Sequence, residues 1–180
     1  MLIEYEGKKP QIGDHVFIAP TAVLIGDVHV GVGASIWFGA VIRADHGKIV
    51  IGKGSSVQDN VTMHVPEESL TEIGEDVTVG HGAVLEGCRI GARTVVGMNS
   101  VVLNRVVVGE EVMIAAGSVL PEGMQVPART LIAGVPAKVK KELSGAALEW
   151  INHAAGAYHH LREQYLKQKI DRLPVGALPD

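Results

Sequence analysis

The sequence predicts an all-β protein, a parallel β-helix wound from six-residue repeats and followed by one amphipathic α-helix. Three observations carry this expectation. Aliphatic residues recur at every sixth position over most of the chain. Glycine is abundant, with 22 residues, while aromatic residues make up only 4%. Near the C-terminus the apolar period changes from six to that of a helix.

The repeat begins at Ile12 and continues through Ile18, Leu24, Val30, Ile36 and Ile42. It slips by three residues and resumes at Ile51, Val57 and Met63, then slips by four and resumes at Ile73, Val79 and Leu85. One residue is then dropped before Ile90, Val96, Val102, Val108, Ile114, Leu120, Val126 and Ile132. Ordinary strands alternate with period two and can resonate at six, but twenty consecutive aliphatic stops argue against coincidence. Each hexapeptide is expected to form a short strand plus a bend, three of them making one triangular coil with the aliphatic side chains stacked inside. Glycine and other small residues suit the corners. Residues 1–137 are assigned to the β-helix and 138–180 to a C-terminal helix and tail.

Gly134-Val135-Pro136-Ala137-Lys138 breaks the coil. Leu143, Ala147, Trp150, Ile151, Ala154, Tyr158, Leu161 and Tyr165 then recur at helical spacing. Ser144 is the expected N-cap, and Pro174 is expected to lie beyond the helix end. The apolar stripe is expected to dock along the prism or on a neighbouring subunit.

Composition excludes several function classes. The net charge is −4 and no basic run occurs, which argues against nucleic acid and against a membrane surface. No apolar run is long enough to span a bilayer, and the first residues do not resemble a signal peptide. Cys88 is the only cysteine, so no internal disulfide can form. A cytoplasmic protein is expected.

Polar residues fall into two columns. Arg43 follows Ile42, His64 follows Met63 and Glu86 follows Leu85, so the three stack on one face, a coil apart each time. Asp59 and His81 stand two residues after Val57 and Val79 and form a second column, expected on the preceding face. One ion could not comfortably touch both columns of one chain. Three prisms around a threefold axis would bring His64 and Glu86 of one chain to His81 of the next, and Arg43 to Asp59. Two imidazoles and a carboxylate form a zinc set with one position open. The competing reading leaves two histidines on a polar face and Glu86 in a surface ion pair.

The linked segments Arg43-Ala44-Asp45, Ile49-Val50-Ile51-Gly52, Val57-Gln58-Asp59-Asn60, His64 and Gly80-His81-Gly82-Ala83-Val84-Leu85 through Gly87-Cys88 resemble the γ-class carbonic anhydrase family and its γ-carbonic-anhydrase-like members. The resemblance covers nearly the whole chain. It implies a left-handed β-helix and a homotrimer with its metal at the subunit interface. His64 and His81 match two of the family's three histidine ligands, and Glu86 stands where the third would be. Arg43 and Asp59 match residues that pair across the interface. Gln58 matches one near the metal-bound water, and Asp45 one that supports the arginine. Glu67 sits where some members carry a shuttle glutamate and is a candidate for that role, although a pair such as Glu67 and Glu68 more often simply solubilises a turn. His46 follows Asp45 and is expected near the site or at the surface.

The implied activity is hydration of carbon dioxide to bicarbonate through a metal-bound hydroxide, with zinc as cofactor and iron or cobalt as alternatives. Glu86 replaces a neutral ligand by an anion, which raises the pKa of bound water and weakens catalysis. Two other readings stand beside it. One is an acyl-CoA thioesterase or acyltransferase of the hexapeptide-repeat superfamily. The other is a catalytically silent trimeric relative.

Overall fold

Branched aliphatic residues at six-residue intervals, separated by glycine and small polar residues, favour very short strands joined by tight bends. A computed structural model of the chain describes residues 1–172, apart from the Asn152 side chain, and consists largely of such strands. The longest, Val41–Ile51, runs round a corner and belongs to two faces of the prism. Its first half pairs in parallel with Thr62–His64, which leads on to Val84–Glu86, Val101–Val102 and Val119–Leu120. Its second half pairs with Leu70–Ile73, followed by Arg89–Ile90, Val107–Val108 and Gln125–Val126. The third face runs from Phe17–Ile18 through Ser35–Ile36, Ser56–Val57, Thr78–Val79, Val95–Val96 and Met113–Ile114 to Thr130–Gly134. The expected parallel β-helix is therefore the fold.

Eighteen of the twenty periodic aliphatic residues are buried, and Ile12 and Ile18 are half-buried. Those two lie in the first coil, which has a neighbouring coil on one side only. Each buried side chain contributes on the order of 2 kcal/mol, against roughly 0–1 for an exposed ion pair, so the stacked columns dominate stability. A second inward column stands two residues before the first and takes small side chains, among them Ala22, Ala40, Val61, Ala83, Cys88 and Val112. Where it carries a hydroxyl, that group binds backbone at the corner: Ser55 donates to the Gly74 carbonyl at 2.7 Å and accepts from the Val77 N–H at 3.0 Å.

The coil closes with a return strand, Ala137–Glu142, antiparallel to Thr130–Gly134. It was not legible in the sequence, because Ala137-Lys138-Val139-Lys140-Lys141-Glu142 is almost wholly charged on its exposed side. Charge on an edge strand guards it against pairing with other chains. Leu143 extends this strand, its N–H donating to the Arg129 carbonyl at 2.7 Å, and so lies outside the helix.

The helix spans Ala146–Lys167 and lies along the third face of its own prism. The expected Ser144 cap is not used. Gly145 is the N-cap, with φ 54° and no side-chain bond, because the chain must turn sharply out of the return strand. Ile151 and Ala155 are buried, whereas Trp150, expected on the apolar stripe, is 56% exposed. The firmest contacts are aromatic. Tyr165 meets Trp37 and Phe17 at centroid distances of 5.1 and 5.3 Å, and Tyr158 meets Trp37 at 5.8 Å. A short 3₁₀ turn, Ile170–Arg172, follows. Pro174 lies outside the described residues. Among the described residues no helix is long and apolar enough to cross a membrane.

Candidate metal centre

Register alone builds the first column. Arg43 is paired with His64, and His64 with Glu86, on adjacent strands. Inward aliphatic neighbours at Ile42, Met63 and Leu85 force all three side chains outward. His64 Nδ1 lies 3.1 Å from Glu86 Oε1, and His64 Nε2 lies 3.0 Å from Asp45 Oδ1. Asp45 in turn accepts from the Arg43 guanidinium. Burial pushes the Asp45 carboxyl up, but Arg43, its own backbone N–H and His64 outweigh it and hold the group below its ordinary 3.8.

Asp45 reaches this place because the chain departs from its period. Opposite the slip, Gly26 pairs with Ala44 and Val28 with Ile49, so the longer strand bulges over Asp45–Lys48. Gly26 has φ +77° and lies against the Ala44 carbonyl, leaving no room for a Cβ there. The bulge also carries His46, whose ring stands edge-on to that of His64 at 6.2 Å.

The second column stands on the corner between the third and first faces, not on a flat face. The turn hydrogen bonds stack Phe38, Asp59, His81, Met98 and Ala116 in register, each N–H of the next residue meeting the carbonyl one coil below. All five lie two residues after a periodic aliphatic residue, so the offset that singled out Asp59 and His81 also marked the apolar neighbours Phe38 and Met98. Asp59 uses both oxygens. Oδ1 accepts from the Phe38 N–H at 3.2 Å, and Oδ2 takes His81 Nδ1 at 2.8 Å. With Nδ1 set against the Asp59 carboxylate, the tautomer protonated there would leave the lone pair on His81 Nε2. Gln58 is 4% exposed, and its Oε1 accepts from the His81 backbone N–H at 3.0 Å. Glu67 is exposed on the turn after His64 and makes no contact with either column among the described residues.

The donor chemistry of two imidazoles and a carboxylate fits a divalent transition metal. His64 and Glu86 touch each other on one face, while His81 is held at a corner. Among the described residues of one chain, no three His, Cys, Asp or Glu side chains gather into a metal-holding group.

Residues 9–44 and 87–122 match a family profile described as bacterial transferase hexapeptide, six repeats. The carnitine operon protein CaiE of Escherichia coli K12 is 40% identical over 81% of this chain and 74% of its own. Gamma carbonic anhydrase 1, mitochondrial, of Arabidopsis thaliana is 36% identical over 93% of this chain, which spans 63% of that relative's length. The chain belongs to the γ-carbonic-anhydrase-like family of hexapeptide-repeat proteins. A hexapeptide transferase family protein from Anaplasma phagocytophilum has the same architecture, with a TM-score of 0.89, 39% identity, and coverage of 92% of this chain and 98% of the other. This γ-carbonic-anhydrase-like chain thus carries the two-column geometry on a fold shared with proteins named as transferases.

Proposed function

We propose that three copies of this chain enclose a metal ion at each subunit interface and that the site hydrates carbon dioxide to bicarbonate. The observation that carries this reading is the division of the donors. His64 and Glu86 share one face, and His81 stands at a corner with Nδ1 committed to Asp59. A threefold arrangement sets the corner of one chain against the face of the next and completes a two-histidine, one-carboxylate set. Zinc is the expected ion, with iron or cobalt as alternatives, because a carboxylate in place of an imidazole widens the range of metals accepted.

A bound metal would supply acidified water for attack on carbon dioxide. The remaining work falls to the chain itself. Asp59 fixes the tautomer of His81, and Gln58 fixes its backbone. Asp45 orients His64 and holds Arg43 beside it, so that a cation faces an anionic product. Glu67, exposed on its turn, is the candidate proton carrier to solvent. Glu86 lowers the net positive charge of the site, which raises the pKa of bound water and slows the reaction at neutral pH.

Thioester chemistry is the second reading, and the hexapeptide transferase match favours it. The deciding experiment is stopped-flow carbon dioxide hydration by the metal-reconstituted protein and its Glu86→His and His81→Ala variants. Activity that His81→Ala abolishes supports the proposal, with Glu86→His faster than the parent. Hydration indistinguishable from buffer in both the parent and Glu86→His would sink it and direct attention to acyl-CoA substrates.

A further inference from the structure

The helix docks unevenly. Its C-terminal half is clamped by the aromatic cluster, by Arg162 on the Gly33 carbonyl, and by His159 Nε2 at 2.8 Å from the Gly54 carbonyl. Its N-terminal half stands off the third face and leaves a cavity of about 510 Å³. Met98 and Met113 form part of the floor, and Trp150 and Ala154 part of the roof. This volume lies within the roughly 300–1,000 Å³ of small-molecule sites, and the walls are mostly apolar, as such sites are.

Two features define what would fit. Among the described residues no Lys, Arg, Asp or Glu lines the cavity, and the one histidine that does, His153, has Nδ1 committed to the Glu149 carbonyl at 2.7 Å. A charged group would find no counter-charge there. The Thr78 hydroxyl, unpaired among the described residues, is itself closed off from the cavity and offers a ligand no polar contact. Gln58, which holds the backbone of His81, is another lining residue, and Met98 is stacked directly on His81 at the corner.

We propose that this slot binds a neutral small molecule with an apolar chain or ring. The two sulfur-bearing side chains of Met98 and Met113 adapt to chains of different shape. The site lies beside the candidate metal centre but does not depend on it, since no proposed ligand of the metal lines the slot.

The test uses the full-length protein without added metal. Octanamide is titrated while tryptophan fluorescence is followed, with octanoate as the charged control. A saturable change is expected with octanamide, at least tenfold weaker with octanoate. Trp150→Phe should remove most of the signal, because the other tryptophan, Trp37, is buried under the clamped half of the helix. Ala154→Trp should fill the slot and abolish binding seen by calorimetry. A thermal melt of Ala154→Trp separates lost binding from lost fold. The proposal falls if octanamide gives no saturable change, if folded Ala154→Trp binds as well as the parent, or if octanoate binds equally. It also falls if binding appears only when the oligomer is diluted apart, which would mean that a second copy fills the slot.

Discussion

His64 Nδ1 lies 3.1 Å from Glu86 Oε1, one coil away on the same face, while Asp45 takes the other ring nitrogen at 3.0 Å. Both imidazole nitrogens therefore face carboxylates. A bound metal would have to replace one of these contacts, and of the two carboxylates Glu86, 43% exposed against 15% for Asp45, is the one with room to turn outward.

Glu86→Gln tests that role. The amide keeps a hydrogen bond to His64 but is a much poorer ligand than a carboxylate. Metal retained after gel filtration, measured by plasma mass spectrometry, should fall at least about tenfold relative to the parent, and Glu86→His should retain as much or more. Equal retention by Glu86→Gln would remove Glu86 from the ligand set.

The candidate site was read from two polar columns and a resemblance, and the chain also breaks its own period beside it. All three irregularities, the bulge Asp45–Lys48, the loop after His64 and the residue dropped after Glu86, occupy the same corner in successive coils, directly after the first column. Regular coils need only an aliphatic residue at every sixth position, so a local departure marks a place shaped by something other than packing. Other features could not be read. Ser144 and Gly145 are both acceptable before a helix, and the return strand that decides between them hides in a lysine-rich segment. Trp150 fits a helical stripe by spacing, yet that end of the helix stands off the sheet. The slot beneath it arises from two distant segments and has no signature in sequence.

Trp37 joins the helix to the prism. It is 3% exposed, meets Tyr158 and Tyr165, and its indole N–H lies 2.9 Å from Ser56 Oγ and 3.1 Å from Ser35 Oγ. Trp37→Ala should cost about 4 kcal/mol by urea denaturation, with loss of near-ultraviolet ellipticity from the aromatic cluster. A cost below about 1 kcal/mol would mean that the helix contributes little to the stability of the coil.

Cys88 belongs to the inner corner column and is fully buried, and burial pushes its thiol up to about 12. At pH 8 the thiolate is roughly one part in ten thousand, even before access is considered. Ellman's reagent should therefore react only after unfolding, with one thiol released per chain and a rate that follows the unfolding rate measured by circular dichroism. Fast labelling under native conditions would show that this corner opens locally.

Glu111 supplies a pH dependence whose sign is fixed. Its carboxylate lies 2.6 Å from Arg129 Nε and 3.2 Å from Arg93 Nε, and its side chain is only 10% exposed. The Arg129 hydrogen bond, partly opposed by burial and reinforced by Arg93, holds the carboxyl below its ordinary 4.5. A carboxyl with a depressed folded value binds its proton more readily when unfolded. The resulting stability is present in full above the unfolded value and is lost as pH falls through the folded one. Urea midpoints of the parent and Glu111→Gln should therefore differ at pH 7 and converge as the pH drops below 4.5, the parent losing more over that range. Parallel acid limbs for the two proteins would show that the arginine pair contributes through packing of its stems and not through the Glu111 charge.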